Sequence, residues 1–192
     1  MTVAPKKASS EDLLGREEGE RAEILAGEIR VQPAPRPRHS RAQGALRRFI
    51  GGRTTMTTGL RAGRWWILLE VDVRLDAHEV VRPDLAGWRR KRLARPWDLR
   101  PLDVTPDWTC EILSRSNVAT DRVYKRNLYA RSGVPFFWLV DPQARILETL
   151  RLRDGVWLDA GTYDDSASVR SAPFDDVLLE VARLFPPVAE QP

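Results

Sequence analysis

The clearest pattern in the chain is the run WWILLEVDVRL over 65–75. There Ile67, Leu69, Val71, Val73 and Leu75 alternate with Glu70, Asp72 and Arg74. A two-residue period predicts a single strand with one apolar face. A second strand is expected over 80–87 and a third over 107–113. The third places Trp108, Cys110 and Ile112 on one face and Thr109, Glu111 and Leu113 on the other. The run VPFFWLV at 134–140 reads as a buried strand. ILETLRL and VWLDAGTY form a hairpin about Arg153-Asp154-Gly155. Earlier in the chain, ILAGEIRVQ suggests a strand bent at Gly27.

Helical spacing is rarer. Residues 11–21 are plausible as a helix. Ser40 can cap a helix running to about Ile50, with Ala42, Ala45, Leu46 and Phe49 on one face, and Gly51-Gly52 is expected to end that helix. A longer helix is expected from Ser116 or Asn117 to Ser132, with Gly133 as its C′ residue. A short final helix is expected at 175–185. Residues 1–10 and 186–192 read as tails around a domain over 11–185. The prediction is an α+β fold, a mixed sheet flanked by helices in a single domain.

Composition narrows the function. The chain has 192 residues, 42% of them hydrophobic, with a formal net charge of +4 and one cysteine. That cysteine, Cys110, excludes an intramolecular disulfide and a multi-cysteine zinc cluster. No stretch of 18 apolar residues predicts a membrane span, and the first 15 residues lack the apolar core of a secretory signal. A cytoplasmic location is the expectation.

Charge is segregated along the chain. Seven acids fall within 11–28, whereas 29–53 carry seven arginines and no acid. A second basic run follows at 89–92. Arg41, Arg47 and Arg48 in the first block and Arg89, Arg90, Lys91 and Arg92 in the second are candidate phosphate contacts, unless these are ordinary solvated faces. Lysine occurs only at 6, 7, 91 and 125; arginine supplies every other basic charge. A lone interior lysine in such a chain draws attention to Lys125.

Three charged residues occupy positions that otherwise read as core. Asp84 lies in VRPDLAG, Glu111 in DWTCEIL, and Lys125 on the following helix. A carboxylate on a core strand is costly unless paired or metal-bound. Two of them on adjacent strands make an oxygen-donor site for a hard divalent cation. Asp121 and Lys125 are four residues apart and share a helix face, with Tyr129 one turn on. The short link SRSN lets that helix fold back over the sheet, carrying Lys125 to the acids. The alternative is a surface Asp121–Lys125 pair beside satisfied buried acids.

These residues carry a resemblance. VRPDLAGWRRKRL (81–93) and PDWTCEILSRSNVATDRVYKRNLYARSGVPFFWLVDP (106–142) resemble the Uma-two-type restriction endonucleases of the PD-(D/E)XK nuclease superfamily. Upstream, ERAEILAGEIRVQPAPRPRH (20–39) is similar to that family's N-terminal segment, with His39 at its end. The resemblance implies a restriction-endonuclease-like fold and a catalytic trio. In it, Asp84 is the acid of the "PD" element, Glu111 the second acid, and Lys125 a lysine moved onto the next helix. Leu113 stands where the superfamily pattern has its lysine. The resemblance further implies Mg²⁺ (or Mn²⁺) held by Asp84 and Glu111, Glu23 and Asp121 close behind, and DNA as partner. The expected function is metal-dependent cleavage of DNA phosphodiester bonds. The alternative is an inactive nuclease-fold module for DNA binding or protein interaction. Exposed edges of the C-terminal hairpin offer a surface for a homodimer.

Overall fold

A computed structural model describes residues 6–16, 20–54 and 65–187. The outermost parts of both expected tails, 1–5 and 188–192, lie outside the described residues. Two sheets dominate. The first has four antiparallel strands in the order β2 (Glu28–Val31), β1 (Ala22–Leu25), β5 (Glu79–Val81), β4 (Val73–Asp76). The second has six, in the order β10 (Val156–Tyr163), β9 (Ile146–Arg153), β8 (Phe136–Asp141), β7 (Trp108–Ile112), β6 (Leu85–Arg89), β3 (Trp65–Leu69). Within the six-stranded sheet only β7 and β8 run parallel.

The strand expected over 65–75 is in fact two, one in each sheet. The break falls at Glu70, whose φ of 51° is left-handed. The strand expected over 80–87 likewise splits into β5 and β6 around Arg82-Pro83-Asp84. The Glu70 amide donates to the Pro83 carbonyl at 3.2 Å, so both chains leave one sheet for the other side by side. The polar residues expected on an outward face explain the break. Asp72 turns inward, 2.7 Å from both Arg82 Nε and Arg100 Nε. Leu69, expected in the core, is exposed. The segment expected as one strand bent at Gly27 is a hairpin of two strands, β1 and β2, while the β9–β10 hairpin forms where the sequence placed it. Ala26-Gly27 and Asp154-Gly155 all have positive φ, as tight two-residue turns require.

Helix α1 (Ser10–Leu14) is shorter than expected, and it begins inside the segment read as tail because Ser9 and Asp12 form a capping box. Helix α2 (Pro37–Thr54) starts at a proline and runs through Gly51-Gly52 rather than stopping there. It lays Ala42, Leu46 and Ile50 on one face of the six-stranded sheet, against Trp65, Trp108 and Trp138. On the opposite face Leu128 and Tyr129 of α3 (Arg126–Arg131) pack with Trp88, Phe137 and Leu139. Helix α3 continues from a π-helical turn over Thr120–Lys125. The helix expected at 175–185 is only a 3₁₀ turn, Val181–Leu184, behind two short strands, β11 (Ser168–Val169) and β12 (Leu179–Glu180). No helix among the described residues is long and apolar enough to cross a membrane.

Candidate active site

The point where the two sheets separate is lined by charge. Asp84, just ahead of β6, is buried, and each of its carboxylate oxygens has a partner. Oδ1 lies 2.9 Å from His39 Nε2, and Oδ2 accepts the Ile112 amide at 2.7 Å. The second contact ties Asp84 to the residue after Glu111, so two neighbouring strands deliver both acids to one place. His39 is in the first turn of α2, and its Nδ1 is buried without a hydrogen-bond partner. Donation to a carboxylate therefore assigns the hydrogen to Nε2.

One turn along α2, Gln43 extends the support. Its Nε2 is 3.0 Å from the Asp84 carbonyl oxygen and 3.0 Å from Glu70 Oε1. Arg21 holds the other Glu70 oxygen at 2.7 Å. The left-handed residue at the strand break is thereby tethered from two directions, and the backbone around Asp84 is fixed through it.

Lys125 is only 1% exposed. Its Nζ is 2.7 Å from Glu23 Oε1, 3.2 Å from Glu111 Oε1 and 3.6 Å from Asp121 Oδ1. Glu23 comes from β1, Glu111 from β7, and Asp121 from the same π-helical turn as the lysine. The Tyr129 hydroxyl donates to Glu111 Oε1. Glu23 also accepts the Arg82 amide at 2.6 Å and the side chain of Gln32. A π-helical turn is an uncommon local structure that concentrates at functional sites. Here it carries two members of the cluster.

Three buried carboxylates, Glu23, Glu111 and Asp121, thus surround one buried ammonium, and a fourth, Asp84, held by His39, lines the same cavity as Lys125. The imbalance shows in their acidities. Burial pushes the Glu111 carboxyl well above its usual range; Lys125 opposes this, and the neighbouring acids reinforce it. Burial likewise pushes Asp121 up to about 7, again against the pull of Lys125. Burial alone would lower the Lys125 value, but Glu111, Glu23 and Asp121 together raise it well above normal. Tyr129 is raised by burial and by Glu111.

The sequence-predicted trio Asp84, Glu111 and Lys125 and the two accompanying acids Glu23 and Asp121 are therefore brought together, with Tyr129 on the shared helix face. The predicted phosphate contacts are not. Five residues along β6, at about 3.3 Å each, carry Arg89 roughly 16 Å from Asp84. Arg89 stacks on Trp65 and Arg90 on Trp66, while Arg92 pairs with Asp107. Lys91 is exposed in the same loop. Arg41 and Arg48 line a separate groove beside Arg183, and neither they nor Arg47 line the site. The arginines that do line it are Arg21, Arg36 and Arg115, which join Lys125 around a cavity of about 390 Å³. Sequence reasoning also passed over Gln43 and left His39 without a role. Their four-residue spacing, in step with Leu46 and Ile50, was the available signal.

Among the described residues no three His, Cys, Asp or Glu side chains converge as a ready-made metal cage. The donor chemistry still fits a hard divalent cation. Mg²⁺ commonly takes one or two carboxylates and completes its shell with water and substrate phosphate. The surplus of buried negative charge is what such an ion would offset.

Fold and site define a protein of the restriction-endonuclease-like class: a mixed sheet flanked by few helices, with an acid–lysine cluster at its opening. The chain belongs to the Uma2 family, described as "Putative restriction endonuclease", whose model matches residues 9–182. The crystal structure of "a putative nuclease belonging to DUF820" from Anabaena variabilis ATCC 29413 shares the fold, with a TM-score of 0.73. That alignment has 22% identity and covers 92% of this chain and 96% of that one. A cryo-EM structure of a DrdV–DNA complex aligns at 15% identity over 66% of this chain and 12% of its own, with a TM-score of 0.32. This likeness is too slight to carry an argument. No curated protein matches the chain.

Proposed function

We propose that this protein is a metal-dependent endonuclease that hydrolyses phosphodiester bonds in DNA. The observation that carries this reading is Lys125, fully buried against Glu111 and Glu23 in the cavity that Asp84 also lines. Asp84 and Glu111, with a backbone carbonyl near Ile112, would hold Mg²⁺ or Mn²⁺. Such an ion lowers the pKa of bound water and neutralises phosphate charge.

The remaining chemistry belongs to the chain. Lys125 keeps its proton, so it serves as a fixed cation and hydrogen-bond donor and not as a base. A compact ammonium suits a phosphate oxygen or an attacking water here better than a planar guanidinium. Asp121, poised near neutrality, is the acid in the cluster best matched to accept a proton at physiological pH. Tyr129 fixes Glu111, and His39 with the Ile112 amide fixes Asp84. Arg36 and Arg115 are exposed at the mouth and make no ion pair among the described residues, which suits them to flanking phosphates. Strand β10 is an edge of the six-stranded sheet and exposes Val156 and Leu158. Two copies paired there would present two sites to the two strands of a duplex.

Cleavage of plasmid and oligonucleotide DNA with Mg²⁺ or Mn²⁺ tests the reading. Asp84→Ala and Lys125→Ala should each lower the rate by about 10³-fold. Equal rates in all three proteins would mean that the activity comes from elsewhere. DNA binding without cleavage, unchanged in Asp84→Ala, would instead indicate an inactive DNA-binding module.

A further inference from the structure

A second cavity, of about 730 Å³, adjoins the first and shares Arg36, His39, Ser114 and Arg115 with it. Its character differs. The site cavity is walled by several acids, lysine and arginine, whereas Leu113, Val118, Pro37 and Pro142 give this one apolar walls, with the Asp141 carboxylate beside Pro142. Val118 is 41% exposed, although it is a large aliphatic residue, just ahead of the π-helical turn. Gln143 supplies an amide at the far side, and Arg38 adds a third exposed guanidinium to the rim. The volume falls within the range of sites that bury small organic ligands.

From this arrangement we infer that the second cavity receives the base of the nucleotide next to the scissile phosphate, in unpaired form. The inference rests on the nuclease reading and deepens it by naming the form of the substrate. Three features support it. Arg36 and Arg115 belong to both cavities, so a backbone held by them crosses from the acid–lysine cluster into the apolar chamber. The chamber has the mixed chemistry a nucleobase needs, with apolar walls for its faces and an amide for its edge. A base inside a duplex has its faces covered by stacking and its pairing edge by its partner. Only an extruded or single-stranded nucleotide can present both to Leu113, Val118 and Gln143.

The test uses the full chain with Ca²⁺ in place of Mg²⁺ and three oligonucleotides of one sequence. These are a blunt duplex, the same duplex with one unpaired 2-aminopurine, and a single strand. Binding is read by anisotropy and by 2-aminopurine emission. The wild type should bind the two unpaired forms at least about tenfold tighter than the duplex, with a change in 2-aminopurine emission. Val118→Glu should bring all three within about twofold and abolish the emission change. Val123→Glu adds the same charge to the same helix outside the chamber, at a residue 60% exposed, and should behave as wild type. Equal affinities in the wild type, or the same loss in Val123→Glu, would overturn the inference. If the blunt duplex is still cut with Mg²⁺ in that case, the nuclease reading stands without it. A wild type that neither binds nor cuts any of the three overturns both.

Discussion

Of the places where the molecule buries carboxylates, two are balanced differently. Asp72 lies between Arg82 and Arg100, so one acid meets two guanidiniums. Arg82 also donates to the Glu20 carbonyl at 3.1 Å, which ties the chain ahead of β1 to the strand break. That cluster is satisfied and does a mechanical job: it holds two sheets at their separation. In the other cluster Glu23, Glu111 and Asp121 share a single lysine, and Asp84 beside them meets a histidine. A structural ion pair gains from matched charge, whereas a site for a cation and a phosphate needs charge left over. Burial alone does not distinguish the two clusters; the ratio of acids to cations does.

The comparison makes predictions of decreasing size. Asp72→Ala leaves a buried guanidinium unpaired and should cost about 3–5 kcal/mol in denaturant unfolding. It should leave the response to divalent cations intact in the molecules that still fold. A variant that loses cation binding along with stability would show that the two clusters are not separate.

The surplus charge should next appear as a pH dependence of the cation-free protein. The folded Asp121 carboxyl keeps its proton up to about 7, whereas a free Asp carboxyl loses it near 3.8. Between those values the folded state binds more protons, so this contribution is complete below the lower pH and is lost as pH rises through the upper one. Thermal melts from pH 4 to 8 should show the decline, and Asp121→Asn should flatten it. A wild type that gains stability across this window would contradict the assignment.

The smallest effect belongs to the tether between the clusters. Glu70→Gly relieves a left-handed backbone and removes the anchor of Gln43 and Arg21. Stability should therefore change by no more than about 1 kcal/mol. Cleavage should still fall severalfold, because the Asp84 backbone loses its support. An unchanged rate would mean that Gln43 positions Asp84 without Glu70.

Much of this architecture is legible in the sequence, and its failures have physical causes. Period-two alternation locates β7, as an apolar run locates β8 and a turn motif the β9–β10 hairpin, because each strand there is continuous. The same rule merges β3 with β4 and β5 with β6. Alternation does not register a left-handed residue at Glu70 or an acid drawn inward by arginines distant in sequence. The acid–lysine cluster is legible because a charge inside an apolar run is conspicuous. Its supports are less so: His39 and Gln43 sit on a polar stretch of α2, where only their spacing in step with Leu46 and Ile50 marks them. The basic run at 89–92 is just as conspicuous, yet it folds away from the cluster. Its charge is plain, but Trp65, Trp66 and Asp107 engage three of its members at the far end of β6.

Calorimetric titration of Mn²⁺ into the cation-free protein tests the central claim, that the unbalanced cluster is a divalent-cation site, most directly. The account predicts saturable binding to the wild type and to Asp72→Asn, lost in Asp84→Asn and in Glu111→Gln. Absence of binding to the wild type, or equal binding to all four proteins, would contradict it.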